Sequence, residues 1–361
     1  HDSVSAEHPQ YVSTPASVGE DLAFNNIAEA VDLYIKDNPE DTGVEPNITT
    51  DKFWLSPSIW IRNKADGGTE HENPYYSADH VSATIYVRVH NRGKMNYEGG
   101  TQYVHAYWAK ASTGFRPLTW MGDEAYDDGA VTGGFLTPAV IPAIPAGGYH
   151  DVKITWALPS DLFNEEKHHY CILAKIMDTR MDPWFTTGTF LYNTEGSNND
   201  AQKNVSIILK EELSSGTKVF VRNIYNDTRK YTLELYPRTS SDDAIFSHAN
   251  VMMEMSQPIY NAWVKGGSKS NGITRAPAVS PRTVQFLSKD SKLEAISLSG
   301  NEFDKVDLKF NFKSANNTQG KYTLDLIQRD ENGKIIGGET FIVESPNSVN
   351  RSVAIASTPI G

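Results

Sequence analysis

The amino-acid sequence predicts an all-β protein made of two immunoglobulin-like antiparallel β-sandwich domains in tandem. Three observations predict this fold class: short apolar runs alternate with polar residues at a period of two, turn-forming residues separate the runs, and helical periodicity is scarce. The pattern also lacks the regular alternation of strands and helices that a parallel α/β sheet requires. Short strands at regular spacing, bounded by turn signals, are typical of a sandwich.

The length of 361 residues predicts two domains, because a single core of ordinary size serves a shorter chain. Residues 1–20 are rich in Ser, Pro and His without any period, so we expect a flexible N-terminal segment. The first sandwich is predicted over residues 21–212 and the second over residues 213–346, because the Ser-Ser-Gly that ends KEELSSG is typical of a junction. Residues 347–361 are predicted to form a C-terminal tail.

The strands predicted in the first domain usually have one apolar and one polar face. In the run IYVRVH the Ile and Val side chains share one face, and Tyr86, Arg88 and His90 share the other. The run CILAKIM, residues 171–177, is apolar on both faces apart from its lysine, which predicts a central strand covered on both sides. From Val31 onward we expect a strand rather than a helix, because Asn-Pro and an acidic turn end the run after one strand length.

The clearest strand signal of the second domain is VDLKFNF, residues 306–312, in which apolar and charged or amide side chains alternate throughout. The run DENGK, residues 330–334, contains the Asn-Gly dipeptide that a two-residue type I′ hairpin prefers. Residues 265–282 are rich in Gly, Ser and Pro and predict a long loop, which would be either functional or disordered.

Charge and composition exclude several classes of protein. The 33 Lys and Arg residues against 45 Asp and Glu residues give a formal net charge of −12, so nucleic acid is not an expected partner. No apolar run approaches the roughly 18 residues of a transmembrane helix, so we expect no membrane-spanning segment. The single cysteine, Cys171, has no partner for an internal disulfide and is predicted to be a small buried hydrophobic residue. One cysteine in a chain rich in Asn, Thr, Tyr and Gly favours an exported bacterial protein, secreted or at the cell surface, although a cytosolic origin is compatible with it. The given sequence shows no basic-then-apolar signal segment, so any such segment is absent from this chain.

A strip of aromatic residues stands in the run YVHAYWAK. On a strand, Tyr103, His105 and Tyr107 share one face, and the Val, Ala and Trp residues between them share the other. The Val-Ala-Trp face is the more apolar and is predicted to be core. The Tyr-His-Tyr face is predicted to pack under the long connection of residues 111–150, with contact to a sugar ring as the alternative.

Three tryptophans stand in loop-like sequence, namely Trp54, Trp120 and Trp184. Exposed loop aromatics bind sugars in carbohydrate-binding sandwiches, but the same residues also plug the open end of a sandwich beneath its loops. We favour the plug and keep the sugar platform as the alternative. Asp123, which is close to Trp120, would accept hydrogen bonds from sugar hydroxyls. The candidate ligand-binding residues are therefore Trp54, Tyr103, His105, Tyr107, Trp120, Asp123 and Trp184.

The acidic run DNPEDTGVEPN raises the alternative of a structural calcium ion. Asp37 and Asp41 would supply the hard oxygen ligands that Ca²⁺ prefers, although their spacing does not match an EF-hand loop. Asp and Asn also populate turns because they cap them and tolerate unusual backbone angles. No other cofactor is expected.

The sequence contains no motif for nucleophilic catalysis or phosphate binding. It has no G-x-S-x-G elbow, no H-E-x-x-H motif, and no Gly-rich loop between a strand and a helix. We therefore do not predict an enzyme. An unrecognised hydrolase remains an alternative, because paired carboxylates for glycoside cleavage meet only in space.

Three runs of the first domain resemble a known family. IYVRVHNRG, IPAIPAGGYHDVKITW and YCILAKIMD resemble the bacterial immunoglobulin-like domain called CARDB, the cell adhesion related domain found in bacteria. That family has a V-x-V-x-N-x-G strand and turn, then an Ala-Gly turn, a strand ending in Trp, and a further strand. The resemblance spans roughly residues 30–210 and implies an adhesive or accessory module without catalytic residues. Residues 215–345 show only the general pattern of a sandwich.

These observations predict a non-catalytic interaction or adhesion module, secreted or at the bacterial cell surface, that would serve as the accessory portion of a larger exported protein. Its expected partner is a protein or a glycan at a cell surface. A carbohydrate-binding module that uses the loop aromatics is the alternative function.

Overall fold

The computed structural model describes residues 30–47, 52–74, 79–126, 129–158, 170–178, 197–205, 207–208, 214–313 and 320–345. The predicted tails, residues 1–20 and 347–361, lie outside these ranges. Strand pairing arranges the described chain into four sheets, two in each sandwich, so the predicted all-β class with two immunoglobulin-like sandwiches in tandem is confirmed. No helix in these ranges is long and apolar enough to cross a membrane.

The first sandwich packs a four-stranded sheet, called sheet A, against a five-stranded sheet, called sheet B. In sheet A, strand β3 pairs with β1 and β2 along one edge and with β7 along the other. In sheet B, β4 and β8 are the central pair, with β5 and β6 beside β4 and with β9 beside β8. The bounds are β1 Leu33–Tyr34, β2 Ile59–Arg62, β3 Ser82–Asn91, β4 Tyr103–Lys110, β5 Gly133–Phe135, β6 Ala139–Val140, β7 Tyr149–Ala157, β8 Tyr170–Met177 and β9 Asp200–Val205.

The second sandwich packs a six-stranded sheet C against a five-stranded sheet D. Its strands are β10 Ile207–Ile208, β11 Ser214–Arg222, β12 Arg229–Pro237, β13 Ala249–Met255, β14 Ser270–Asn271, β15 Ile273–Arg275, β16 Thr283–Phe286, β17 Lys292–Leu298, β18 Phe303–Phe312, β19 Lys321–Arg329 and β20 Ile335–Glu344. The strand order is β10-β20-β19-β12-β17-β14 in sheet C and β11-β18-β13-β16-β15 in sheet D. Described strands pair in antiparallel fashion except for β10 and β20, which are parallel.

Helical structure is confined to short connections. Helix α1, Pro117–Met121, follows β4, and a 3-10 turn, Asp242–Ala244, leads into helix α2, Ile245–His248. Helix α3, Gln257–Lys265, begins at Ser256, whose side chain accepts the backbone N–H of Ile259 as an N-cap.

The period-two patterns give the strands that the sequence predicts. Along β18, buried and half-buried residues alternate from Phe303 to Phe312 without a break. Strand β8 is buried on both faces up to its last residue and lies between β4 and β9, as expected of a central strand. The Val-Ala-Trp face of β4 lies in the core of the first sandwich, which confirms that prediction as well. Cys171 on β8 is a buried free thiol.

The predicted turn type of the last hairpin needs correction. The hairpin between β19 and β20 forms at DENGK, but only Gly333 has a positive φ, of 79°, whereas a type I′ turn needs positive φ at both central residues. The backbone N–H of Gly333 donates to the carbonyl of Asp330, so Glu331 and Asn332 form an ordinary turn followed by a left-handed glycine. Strand β10, residues 207–208, pairs with β20 in sheet C, and the division between residues 212 and 213 stays a prediction.

The two sandwiches contact each other through connections of the first and strands of the second. Residues 111–113 run beside β11, where the backbone N–H of Phe220 donates to the carbonyl of Ala111 at 3.0 Å. A buried ion pair joins Arg222 on β11 to Glu124, which follows α1. Farther along, the indole N–H of Trp54 donates to the Thr340 hydroxyl on β20 at 3.0 Å. Backbone and side-chain hydrogen bonds therefore both join the two sandwiches.

Candidate interaction face of the first sandwich

The two described loop tryptophans are buried, Trp54 at the contact between the sandwiches and Trp120 within the first sandwich. Trp54 and Trp120 are both 0% exposed. Trp54 packs with Ile327 and Ile335 of the second sandwich, and Trp120 packs with Phe115 at a centroid distance of 4.4 Å. Neither indole has surface for a sugar ring in this structure, so the geometry is that of a plug. Trp184 lies outside the described residues.

The Tyr-His-Tyr face of β4 is covered, as the favoured interpretation expects. Tyr107 is buried in a cluster with Phe115 and Trp120 from the connection that follows β4. His105 is buried as well, and Tyr103 is half-buried. Asp123 is exposed, but it lies beside a tryptophan that solvent does not reach. The structure therefore does not gather these residues around one accessible site.

The two aspartates proposed for calcium shape a turn. The Asp41 carboxylate accepts the backbone N–H of Asp37 at 2.9 Å through one oxygen and that of Gly43 at 2.8 Å through the other. Such bonds are the usual reason for Asp in turns. Among the described residues, no group of three or more His, Cys, Asp or Glu side chains is placed to hold a metal ion. Calcium binding at Asp37 and Asp41 stays a prediction.

The outward face of sheet A carries a polar surface whose side chains are held by defined contacts. At its centre the Arg88 guanidinium on β3 donates to both carboxylate oxygens of Asp151 on β7, at 2.7 and 2.9 Å. Its central carbon lies 4.1 Å from the ring centroid of Tyr149 and 5.4 Å from that of Trp60. The bond to Asp151 raises the pKa of Arg88 further, so the cation persists at every relevant pH. We call Trp60, Tyr86, Arg88, Tyr149 and Asp151 the Arg88 face.

The Arg88 face rests on a rigid aromatic pair. Trp60 and Tyr86 lie opposite each other on β2 and β3, with ring centroids 5.4 Å apart and planes inclined by 5°. The loop after β2 holds both rings by their polar atoms, because the Trp60 indole donates to the Gly68 carbonyl at 2.8 Å and the Tyr86 hydroxyl accepts the Gly67 N–H at 2.9 Å. Both rings are buried, so they support the surface without forming it.

Next to this pair the face is open to solvent. Tyr149 is 54% exposed although one side of its ring lies on Arg88. His90 packs between Tyr34 and Tyr149, at centroid distances of 5.0 and 5.8 Å. Burial, with help from the nearby Lys36 and Arg88 charges, lowers the pKa of His90 to about 4, so this ring is neutral at physiological pH. The surface offers one held cation, one exposed ring and a neutral imidazole, and no ionised His for acid–base chemistry.

The first sandwich also has an open groove of about 670 Å³ at one end, between β1 and the end of β8. Two of its polar side chains are engaged by the surrounding loops. The Tyr97 hydroxyl accepts the backbone N–H of Gln102 at 2.8 Å, and Asp32 forms an ion pair with Arg92 at 3.2 Å. The groove therefore adds volume but no converging reactive groups.

The sequence contained part of the signal for the Arg88 face. The alternation in β3 assigns Tyr86, Arg88 and His90 to the polar side, and the structure keeps them there. The missing information was register: only strand pairing shows that Arg88 lies opposite Asp151 and Tyr86 opposite Trp60. Tyr149 has no distinctive local sequence, because a tyrosine after Gly-Gly is an ordinary strand start.

The chain matches no protein-family model and no curated protein sequence. Among solved structures it is similar to a collagen adhesin from Staphylococcus aureus, with 11% identity, 73% of this chain and 87% of that chain covered, and a TM-score of 0.22. It is also similar to the CARDB domain of a Pyrococcus furiosus protein in complex with di-metal ions, with 14% identity, 42% and 86% covered, and a TM-score of 0.20. A third match is the BSP domain of a biofilm associated protein, with 10% identity, 85% and 63% covered, and a TM-score of 0.22. A CARDB domain, the family that the strand motifs resemble, is thus among the matching structures.

Proposed function

We propose that the chain is a non-catalytic interaction module of a secreted or cell-surface bacterial protein, and that it binds a protein partner through the Arg88 face. The observation that carries the proposal is the exposed Tyr149 ring held against a fixed Arg88 guanidinium. Tyr and Arg are enriched among the residues that dominate binding energy at protein interfaces. A side chain that is already ordered also loses less conformational entropy when a partner binds.

The hydrogen bonds beneath the face support this role. Asp151 fixes Arg88 through two bonds, and the Trp60–Tyr86 pair fixes the platform under it. The arrangement resembles a preorganised contact surface, in which supporting residues restrict the residues that touch the partner. The second sandwich is bonded to the first through the Glu124–Arg222 pair, and we assign it the role of a spacer.

The chemistry of the described side chains favours binding over catalysis. The Cys171 thiol is buried on β8, and burial together with the neighbouring Glu339 raises its pKa, which suppresses the thiolate. The Glu124–Arg222 and Arg88–Asp151 carboxylates are each engaged by a guanidinium. This thiol and these two carboxylates are therefore not available as a nucleophile or a base.

The test is a binding screen with the fluorescently labelled chain on an array of purified cell-surface and matrix proteins, with a glycan array in parallel. We expect the chain to bind at least one protein, and Arg88→Ala and Tyr149→Ala to weaken that binding roughly tenfold or more. Arg275→Ala is the matched control, because Arg275 in the second sandwich also lies over aromatic rings, 4.7 Å from Trp263 and 5.4 Å from Tyr260.

Three outcomes would contradict the proposal. The first is no binding on the protein array, the second is binding by both Arg88-face variants as tight as that of the unaltered chain, and the third is binding on the glycan array alone. The last result would instead support the carbohydrate-binding alternative. Circular dichroism of each variant verifies that the sandwich fold persists.

A further inference from the structure

Strand β7 has one edge that no described strand covers. Its 9 residues, Tyr149–Ala157, pair with β3 along their whole length, and among the described strands β3 is the only one that pairs with β7. Other long edges are protected: residues 54–56 bond to β9, and residues 111–113 bond to β11. An open strand edge is a template for pairing with another strand.

The hydrogen-bond pattern shows which backbone groups of β7 face this edge. In an antiparallel pair, alternate residues direct their N–H and C=O toward the partner strand. Leu158 donates to the Val81 carbonyl and Gly148 accepts from Asn91, each at 2.9 Å, so the even-numbered residues bond toward β3. The odd-numbered residues, from Tyr149 to Ala157, therefore direct their backbone N–H and C=O groups outward.

We propose that this edge pairs with the same edge of a second copy of the chain, antiparallel, with Asp151 of each copy opposite Lys153 of the other. The side chains of these two residues point to the outward face of sheet A, with Asp151 half-buried and Lys153 exposed. Opposite charges directly across an antiparallel pair stabilise it, whereas like charges destabilise it. The sequence of the edge is thus complementary to itself.

Charge also selects one register. The backbone N–H and C=O groups that face the open edge belong to odd-numbered residues in both copies. Odd-numbered residues must therefore lie opposite each other, so the register can change only in steps of two residues. One shift in one direction places Lys153 opposite Lys153, and one shift in the other places Asp151 opposite Asp151, so both juxtapose like charges. In the favoured register Tyr149 lies opposite Thr155, and Val152 lies at the two-fold axis. Closed two-fold pairing of this kind gives a dimer rather than a fibre.

The dimer would join the two copies of sheet A into one continuous sheet. The Arg88 faces of both copies would then lie on the same side of that sheet, which doubles the contact surface. Self-association is nevertheless separate from the proposed function. Tyr149 and Asp151 lie on β7 and belong to both surfaces, but Arg88 lies on β3 and Lys153 is outside the Arg88 face. Arg88→Ala therefore tests partner binding and Lys153→Glu tests dimerisation, so the two proposals can fail independently of each other.

Sedimentation velocity of the full 361-residue chain over a range of concentrations tests the pairing. We expect a reversible equilibrium between the 40.0 kDa monomer and a dimer of twice that mass. Lys153→Glu should raise the dissociation constant about tenfold or more, because two attractive charge pairs become repulsive. Lys265→Glu, at an exposed lysine that ends α3, is the matched control for net charge and should dimerise normally.

A second variant addresses the backbone. Thr155→Pro removes an N–H that points to the open edge, and proline is tolerated on an edge strand when its missing N–H faced solvent. The bonds of β7 to β3 are retained, so circular dichroism should be unchanged while the dimer is lost. The idea is overturned if the unaltered chain stays monomeric at every concentration, or if Lys153→Glu and Thr155→Pro both dimerise as it does.

Disulfide trapping tests the register. Opposed residues that exchange both hydrogen bonds have Cα atoms about 5.5 Å apart, within the range of a disulfide. A chain with Tyr149→Cys and Thr155→Cys should oxidise to a covalent dimer, whereas one with Tyr149→Cys and Ala157→Cys should not. Native Cys171 is buried and does not compete. Equal cross-linking of the two double variants would contradict the proposed register.

Discussion

Glu339 on β20 is a carboxyl buried between the two sandwiches without a cation. One of its oxygens accepts the backbone N–H of Ser112 and lies 2.9 Å from the Cys171 sulfur, which is also 2.9 Å from the Asn204 side-chain oxygen. Its other oxygen has no hydrogen-bond partner among the described residues. Burial raises the pKa of Glu339 to about 8. The Cys171 thiol has one hydrogen, which it can donate to Glu339 or to Asn204. An ionised carboxylate would be buried here without a cation, so the neutral acid is the favoured form.

Glu339→Gln should flatten the pH dependence of stability. The folded chain binds this proton up to pH about 8, whereas the unfolded chain releases it near the ordinary pKa of 4.5, so stability falls as pH rises between these values. The loss is on the order of 5 kcal/mol across that window. Gln cannot ionise, so its variant lacks this loss. Urea unfolding from pH 5 to pH 8.5 measures the difference, with exposed Glu331→Gln as the control. Parallel curves for the Glu339 variant and the unaltered chain would exclude the assignment.

The Glu124–Arg222 pair is a buried ion pair at the contact between the sandwiches. The Arg222 guanidinium donates to both Glu124 oxygens, at 2.7 and 2.5 Å, and its central carbon lies 3.9 Å from the Phe303 ring centroid. The hydroxyls of Thr119 and Thr132 also donate to Glu124. Burial lowers the pKa of Arg222, and the Glu124 charge opposes that shift, which is the balance expected of a paired buried cation.

Removal of one side chain of the Glu124–Arg222 pair should lower the free energy of unfolding more than removal of both. Arg222→Met leaves the Glu124 carboxylate buried without its cation and should lower the free energy of unfolding by about 3–5 kcal/mol. The double variant Arg222→Met with Glu124→Leu should recover most of that loss, because no charge is then left unpaired. Urea unfolding of the two single variants and the double variant forms a complete cycle. Additive losses would show that the two side chains are not coupled.

At the scale of elements, β20 approaches the first sandwich through two adjacent glycines. A Cβ atom on Gly337 would lie 2.1 Å from the Thr113 carbonyl oxygen, and one on Gly338 would lie 2.6 Å from the Trp54 ring. Neither glycine has a positive φ, so the absence of a side chain serves close approach rather than backbone conformation. The Asn204 amide on β9 donates to the Gly338 carbonyl at 2.9 Å across this gap.

Gly337→Ala should therefore separate β20 from residues 111–113. Backbone atoms cannot move aside as a flexible side chain would, so we expect a loss of stability of about 1–3 kcal/mol or more. Differential scanning calorimetry measures the shift, and exposed Glu331→Ala in the adjacent hairpin is the control. An unchanged melting temperature would mean that the contact is looser than its geometry indicates.

The sequence alone predicts those strands whose burial follows from the alternation of apolar and polar residues. Strand β18, the double-sided burial of β8 and the core face of β4 all follow from period-two spacing. The turn after β19 was assigned the wrong type, because Asn-Gly also suits a turn followed by a left-handed glycine. Trp54 and Trp120 stand in loop-like sequence, and their burial depends on connections and strands that pack against them. Such contacts, like the pairing of Arg88 with Asp151, have no signal in a single sequence.

At the scale of the whole molecule, the bonds between the sandwiches imply that they unfold together. Each sandwich has its own apolar core, but Trp54, Ile327 and Ile335 form a further apolar cluster that contains side chains from both. The cluster lies near the Trp54–Thr340 hydrogen bond and the Lys52–Asp325 ion pair of 2.8 Å. Loss of either core would expose this cluster to water.

Phe310→Ala tests the coupling. Phe310 is fully buried in the core of the second sandwich, and its truncation should cost about 3–5 kcal/mol. The second sandwich has Trp263, whereas Trp54, Trp60, Trp108 and Trp156 lie in the first, so in a Trp263→Phe background the fluorescence reports largely on the first sandwich. If the two sandwiches unfold together, Phe310→Ala should shift the unfolding midpoint measured by fluorescence as far as the midpoint measured by circular dichroism. Adding Gly337→Ala should separate the two midpoints. This substitution weakens the contact of β20 with residues 111–113, through which a loss of stability in the second sandwich would reach the first. A fluorescence midpoint that Phe310→Ala leaves in place would show that the two sandwiches unfold independently.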